Sequence, residues 1–79
     1  MSVSVKFFPL LAQRAASRRE SLTVPYREGL RPIDVVRAEG FSETDAEAIM
    51  VLVNDVQAEL DAPLRDGDRL EFMIAIAGG

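Results

Sequence analysis

The chain has 79 residues, enough for one small domain, and it contains neither cysteine nor histidine, which excludes disulfides, thiolate metal sites and the commonest general base. Hydrophobic residues make up 48% and charged residues 28% of the chain, a composition that is typical of a globular domain and not of a disordered one. The net charge of −4 argues against a nucleic-acid-binding protein, whose surface is usually basic.

The first predicted element is a strand at the start of the chain. Val3, Val5 and Phe7 alternate with polar residues, and a period of two is typical of a half-buried strand. Pro9 ends the strand because proline lacks a backbone donor. We expect residues 10–11, both leucines, to tuck under the domain.

A loop, a second strand and two helices are predicted next. The polar, arginine-rich segment 13–20 is predicted to be a loop with at most one helical turn, and residues 21–25 a second strand antiparallel to the first. Pro32 suits the first turn of a helix and Gly40 its left-handed C-terminal cap. Ser42, followed three residues later by an aspartate, resembles a capping box and predicts a second helix.

The second half of the chain predicts three more strands. The apolar run 50–53 is typical of a buried strand, and residues 54–55 of a tight turn before a short strand at 56–60. Alternation over residues 70–76 is the clearest strand signal in the sequence. The element order predicts an α+β protein of the β-grasp (ubiquitin-like) class, with a mixed four- to five-stranded sheet and one main helix packed across one face.

The same alternation predicts an open surface on the other face of the sheet. If the first and last strands are adjacent, Lys6, Phe8, Glu71 and Met73 share this face, which we predict to bind a partner protein. The alternative is that a loop around residues 10–11 covers them. The residues expected to face the helix instead are Val3, Val5, Phe7, Leu70, Phe72, Ile74 and Ile76.

Five sequence segments stand in a specific order and spacing. They are residues 5–8, 33–36, 51–54, 63–72 and 78–79. Together they resemble the MoaD/ThiS family of ubiquitin-like sulfur-carrier proteins over nearly the whole chain. The two phenylalanines of the first segment favour a MoaD-like protein, whereas residues 74–76 lack the Pro-Pro pair that molybdopterin-synthase subunits often carry there.

The resemblance implies that the working group is the C-terminal carboxylate of Gly79. This carboxylate would be adenylated and converted to a thiocarboxylate, with Gly78 and Ala77 giving access, because a tail without bulky side chains can enter a narrow channel. We expect a β-grasp domain over residues 1–76 and a flexible tail over residues 77–79.

The resemblance also implies the partners. These are an adenylating enzyme of the ubiquitin-activating type, which uses ATP and magnesium, a persulfide-bearing sulfurtransferase and, for a molybdopterin route, a larger molybdopterin synthase subunit. The chain itself is expected to bind no cofactor and no metal; Asp66 and Asp68 are predicted to be turn residues, since their spacing is wrong for a calcium loop. Without a signal-peptide pattern or an apolar run of ~20 residues, we expect a cytoplasmic protein with no membrane partner.

Several functions remain open at this point. As a carrier, the protein would pass sulfur to molybdenum cofactor biosynthesis, to the thiamin thiazole or to another acceptor. A ubiquitin-like modifier joined to lysines through Gly79 would need the same activation step, and a passive β-grasp interaction module would need no tail. A stand-alone enzyme is disfavoured because no Ser-His-Asp, Cys-His or phosphate-loop arrangement can be built from this sequence.

Overall fold

A five-stranded sheet with three short helices forms the protein in the computed structural model, which describes residues 1–74. The predicted tail 77–79, with residues 75–76 of the predicted domain, lies outside the described residues. The strands are β1 (Ser2–Phe7), β2 (Ser21–Pro25), β3 (Ile49–Val53), β4 (Val56–Ala58) and β5 (Arg69–Ile74). The helices are α1 (Pro9–Ala12), α2 (Pro32–Ala38) and α3 (Glu43–Glu47).

The sheet is mixed and has the strand order β2-β1-β5-β3-β4. Strands β1 and β5 run parallel at its centre, while the β1–β2, β3–β5 and β3–β4 pairs are antiparallel. A parallel pair needs a long connection, which the chain provides through the helices and the outer strands. This is the predicted β-grasp arrangement, and α2 is the longest helix of the part of the chain that the structure describes.

The core lies between the helices and one face of the sheet. Val3, Val5 and Phe7 of β1 are buried beside Leu70 and Phe72 of β5, as the alternation predicted. The rings of Phe7 and Phe72 stack with their centroids 5.2 Å apart. Buried residues of all three helices join this core: Leu11, Ala12, Val35, Val36 and Ala46.

Ile74, which is predicted to face the helix, is 38% exposed. Ile74 is the last residue of β5, where a groove between this strand and α1 remains open. Its strand partner Ile49 is buried, with 7% of the residue exposed. Alternation therefore gives Ile74 the same face as Ile49, while its position at the end of the strand leaves it partly exposed.

The predicted starts of α2 and α3 and the predicted end of α2 are confirmed. Pro32 is the first residue of α2, and Gly40 follows this helix with a φ of +86°, a conformation that glycine adopts without steric cost. Before α3, the Ser42 hydroxyl accepts a hydrogen bond from the Asp45 amide at 3.0 Å, and the Asp45 carboxylate accepts one from the Ser42 amide at 3.2 Å. These local signals begin both helices and end α2 where the sequence predicted, whereas α3 ends at Glu47 and Ile49, predicted to continue it, begins β3.

The first helical turn lies earlier than predicted, at α1 instead of within residues 13–20. Pro9 occupies the first helical position, so it starts a helix as well as ending a strand. Successive helix residues point ~100° apart, and the turn buries Leu11 while leaving Leu10 66% exposed. The expectation that both leucines tuck under the domain therefore holds for Leu11 and is wrong for Leu10.

Candidate functional site

The parallel pairing of the two central strands places the predicted docking residues side by side. Lys6 and Glu71 are register partners of β1 and β5. The Phe8 amide donates a hydrogen bond to the Phe72 carbonyl at 3.0 Å, which extends the pairing beyond β1 and sets Phe8 beside Met73. The four residues thus form two neighbouring rows across the centre of the sheet.

An apolar groove lies where these two strands end. It is about 490 Å³ in volume, and we call it the apolar groove. Helix α1 forms one side of the groove without covering it: Phe8 is 41% exposed and Leu10 66% exposed. The segment around residues 10–11 therefore leaves Phe8 exposed, while Met73 is half-buried. The lining residues are Phe8, Pro9, Leu10, Leu11, Met73 and Ile74.

Lys6 and Glu71 line a second, shallower groove across β2, β1 and β5, with a volume of about 770 Å³. We call it the polar groove. Side chains of opposite charge and several hydroxyl groups surround it, including those of Ser4 and Thr23. The predicted partner surface is thus divided into an apolar part beside α1 and a polar part beside β2.

The predicted reactive residues Gly79, Gly78 and Ala77 lie outside the described residues. Strand β5 leads toward them, and Ile74, its last residue, lines the apolar groove. The chain therefore leaves the described part of the fold at the edge of this groove. A partner seated on the groove would be next to the point where the segment leading to Gly79 begins.

Sequence reasoning missed Leu10 and Ile74 as parts of this surface. A signal for Leu10 was present, because a proline after an extended residue is a common helix start and would have set the next residues on different sides of a helical turn. No local signal marked Ile74, whose alternation is that of a core residue.

The described residues give no support for a metal site. Within residues 1–74, no three acidic side chains converge. The Asp66 carboxylate accepts a hydrogen bond from the Ser2 amide at 2.9 Å. The Asp68 carboxylate accepts bonds from the Arg65 amide at 2.8 Å and from the Asn54 side chain at 2.9 Å. Both aspartates therefore act as turn residues, as the sequence predicted.

The shortest ion pair among the described residues lies on the helices and not in either groove. Arg37 of α2 and Glu43 of α3 are 2.7 Å apart. The hydrogen bond from Arg37, followed by its charge, lowers the pKa of Glu43 from the ordinary glutamate value, and the same contacts raise the pKa of Arg37. This pair joins two helices and has a structural role. Within residues 1–74, no helix is long and apolar enough to cross a membrane.

Comparison with known families decides the identity of the chain. The sequence model of the ThiS family matches residues 12–79. The chain belongs to the ThiS family. This ThiS-family protein is therefore a member of the ubiquitin-like sulfur-carrier or modifier class, and the match extends through Gly78 and Gly79. No curated protein matches the chain.

Solved structures confirm the β-grasp fold of this ThiS-family protein. SAMP1 from Haloferax volcanii is 24% identical, with all of both chains covered and a TM-score of 0.73. The complex of subunits 1 and 2 of molybdopterin-converting factor from Helicobacter pylori contains a chain that is 20% identical, with all of both chains covered and a TM-score of 0.63. The BexX/CysO complex of Amycolatopsis orientalis contains a chain that is 27% identical, with 98% of this chain and 99% of that one covered and a TM-score of 0.65.

Proposed function

We propose that this protein is a sulfur carrier whose Gly79 carboxylate is adenylated and then converted to a thiocarboxylate that donates sulfur in cofactor biosynthesis. The observation that carries the proposal is the ThiS family match, which runs through the Gly78–Gly79 end of the chain. The chain has no cysteine or histidine, so the chemistry would be supplied by partners. The protein is then a cosubstrate and not an enzyme by itself.

The proposed chemistry starts from a carboxylate, which is a poor electrophile. Transfer of AMP from ATP in an activating enzyme would give an acyl-adenylate at Gly79 with release of pyrophosphate. The terminal sulfur of a sulfurtransferase persulfide would then attack the acyl carbon and displace AMP, giving an acyl disulfide. A partner thiol would cleave the S–S bond of this acyl disulfide, which releases the thiocarboxylate and leaves a disulfide on the partner side. Gly78 and Ala77 suit passage through a narrow channel, because neither has a side chain larger than methyl. ATP and magnesium belong to the activating partner in this scheme.

We further propose that the apolar groove and the neighbouring Lys6–Glu71 row dock the activating enzyme. Exposed apolar side chains beside charged ones are typical of a protein interface, and Phe8 and Leu10 are both well exposed. The position of Ile74 in the groove would set the bound enzyme close to the tail. Two of the similar solved structures are themselves complexes with a second protein.

The remaining functional routes differ in the molecule that accepts the sulfur or the tail. Molybdenum cofactor biosynthesis would require a larger molybdopterin synthase subunit that receives the tail, whereas a thiamin-thiazole route would not. Conjugation to lysines through Gly79 is the second candidate, since the fold is also that of SAMP1, which is small archaeal modifier protein 1. An isopeptide-linked adduct would identify the modifier route, and a thiocarboxylate without such adducts would identify the carrier route.

The intact mass of the protein purified from its own host tests the carrier function directly. We expect a species heavier than the unmodified chain by the mass difference between sulfur and oxygen, because a thiocarboxylate replaces one oxygen. Deletion of Gly79 should abolish this species, and a variant with Val56 changed to alanine, far along the chain, should retain it. Only the unmodified mass after incubation with ATP, an activating enzyme and a sulfur donor would contradict the proposal.

The docking surface is tested by Met73→Asp, with Val56→Asp as the matched control. A carboxylate in the apolar groove would have to be desolvated by the partner, so we expect affinity for the activating enzyme to fall about tenfold or more. Val56 is 68% exposed on β4 and lies outside the groove, so its variant should bind normally. Titration calorimetry measures both affinities, and equal binding by Met73→Asp and wild type would exclude the apolar groove as the interface.

A further inference from the structure

The polar groove differs in charge from the rest of the molecule. Three cationic residues, Lys6, Arg19 and Arg69, line it against one carboxylate, that of Glu71, whereas the whole chain has a net charge of −4. Among residues 1–74, neither Lys6 nor Arg19 has an ion-pair partner within 4.0 Å, while Arg69 pairs with Asp55 at 3.3 Å. The groove also presents hydroxyl groups, from Ser4, Ser17, Ser21 and Thr23.

Hydrogen bonds to Glu39 fix the segment that carries Arg19. Glu39 is buried, and its carboxylate accepts a hydrogen bond from the Ser17 amide at 3.0 Å. The Glu39 carbonyl accepts a second bond from the Ala16 amide at 2.8 Å. Arg18 then adopts a left-handed backbone with a φ of 55°, which is uncommon for a residue with a side chain. The hydrogen bonds to the buried Glu39 and the left-handed backbone of Arg18 thus place Arg19 at the groove.

We propose that the polar groove binds an acidic segment of a protein partner. Lysine and arginine side chains with hydroxyl donors are suited to carboxylates. An acidic segment that pairs with Lys6 or Arg19 would displace no ion pair formed among residues 1–74. Lys6 and Glu71 lie two residues before Phe8 and Met73 on their strands, on the same face of the sheet, so the polar groove adjoins the apolar groove. A segment with acidic and apolar side chains could therefore contact both.

A protein segment fits this surface better than a nucleic acid. The negative charge of the chain as a whole would repel a long polyanion that extends beyond the groove. Among the residues that line the polar groove, none is aromatic, so it lacks the stacking platforms on which single-stranded nucleic acids usually bind. The link to the apolar groove rests on the proposed docking function, but the charge of the polar groove does not.

A short peptide in which glutamates alternate with leucines is the probe, and the same peptide with glutamines is its matched control. Titrated into the full-length protein, the acidic peptide should shift the amide resonances of Ser4, Lys6, Thr23 and residues 17–19. Binding should weaken as salt is added, because exposed ion pairs are screened. The glutamine peptide should bind at least about threefold more weakly, since it lacks the charges.

Charge reversal locates the site. Lys6→Glu and Arg19→Glu should each weaken binding of the acidic peptide by about threefold to tenfold. Arg65→Glu makes the same charge change on an exposed residue that lines neither groove, so it should change the affinity less than twofold. The amide spectrum of each variant reports whether the protein is folded, and Lys6→Gln and Arg19→Gln replace any variant that is not.

The role of the buried Glu39 carboxylate in placing Arg19 is tested separately. Glu39→Gln keeps an oxygen that can accept from the Ser17 amide and should bind the peptide as wild type does, whereas Glu39→Ala should weaken binding about threefold while the shifts in β1 persist. Equal binding of the two peptides, equal losses in Arg65→Glu and Lys6→Glu, or tighter binding of a single-stranded oligonucleotide through Lys6 and Arg19 would overturn the proposal. Thiocarboxylate formation is not measured here, so failure of the carrier function would leave these results unchanged.

Discussion

At the scale of single residues, a step of one position along a strand decides whether a side chain lies in the core or on the surface. Phe7 is fully buried and stacks on Phe72, whereas the next residue, Phe8, is 41% exposed in the apolar groove. Successive strand residues point to opposite faces, so two chemically identical neighbours have different roles. Composition alone would have assigned both phenylalanines to the core.

The Arg37–Glu43 pair makes stability depend on pH at the residue scale. Because the hydrogen bond from Arg37 lowers the pKa of Glu43 below its usual 4.5, the pair stabilises the folded state above that value and its contribution is lost as the pH falls through the lowered pKa. We expect Glu43→Gln to lower the urea midpoint at neutral pH but not in strong acid, where wild type has lost the same contribution.

Glu47→Gln on the same helix is the control for this prediction. Glu47 is exposed and, among the described residues, forms no ion pair within 4.0 Å, so its variant should follow the wild-type pH curve. A Glu43→Gln deficit of the same size in acid as at neutral pH would show that the loss comes from packing and not from ionisation.

At the scale of elements, the β3–β4 turn shows why an asparagine follows the apolar run. Asn54 and Asp55 both have positive φ, 53° and 71°, as two-residue hairpin turns require. The Asn54 side chain also accepts from the Arg69 amide at 3.0 Å and donates to Asp68 at 2.9 Å. One residue therefore closes the hairpin and attaches it to the start of β5.

The two roles of Asn54 can be separated with Asn54→Gly and Asn54→Ala. Glycine adopts positive φ freely, so Asn54→Gly should lose only the side-chain hydrogen bonds, about 1 kcal/mol of unfolding free energy. Alanine loses the same bonds and also requires a left-handed backbone, which costs about 1 kcal/mol more. Urea denaturation of both variants measures the difference, and equal stability would mean that the turn relaxes to another conformation.

At the scale of the whole molecule, stability and proposed function occupy different parts of the chain. The buried residues of the described part of the chain form a cluster around the central strands, and the proposed reactive group is Gly79. The central position of β5 connects the two, because this strand contributes Leu70 and Phe72 to the core and then leads toward the tail. The well-packed strand β5 thus supports the segment that leads to the proposed reactive carboxylate of Gly79.

Deletion of residues 78–79 tests this separation. We expect the unfolding free energy to stay within about 0.5 kcal/mol of wild type, as is usual for changes away from the core, while adenylation by the activating enzyme is abolished. Thermal unfolding and an ATP–pyrophosphate exchange assay measure the two properties. A loss of several kcal/mol on deletion would mean that the tail contributes to the packing of the domain.

The local signals of the sequence determined most of the elements. Alternation identified β1 and β5 and their buried faces, and Pro32, Gly40 and Ser42 marked the helix ends, because each of these effects acts between residues close in the chain. The spacing of five segments and the terminal Gly-Gly indicated the ThiS family and with it the proposed chemistry, which the family match supports as far as a carrier or modifier class.

Only the tertiary structure decided how the surface is divided. The parallel register of β1 with β5 joins residues more than 60 positions apart, and it alone sets Lys6 beside Glu71 and Phe8 beside Met73. The apolar groove brings Leu10 of α1 together with Ile74 of β5, and the hydrogen bond from the Ser17 amide to the buried Glu39 fixes the segment that carries Arg19. These features arise from contacts between distant segments, which periodicity and capping signals do not encode because those act over a few neighbouring residues.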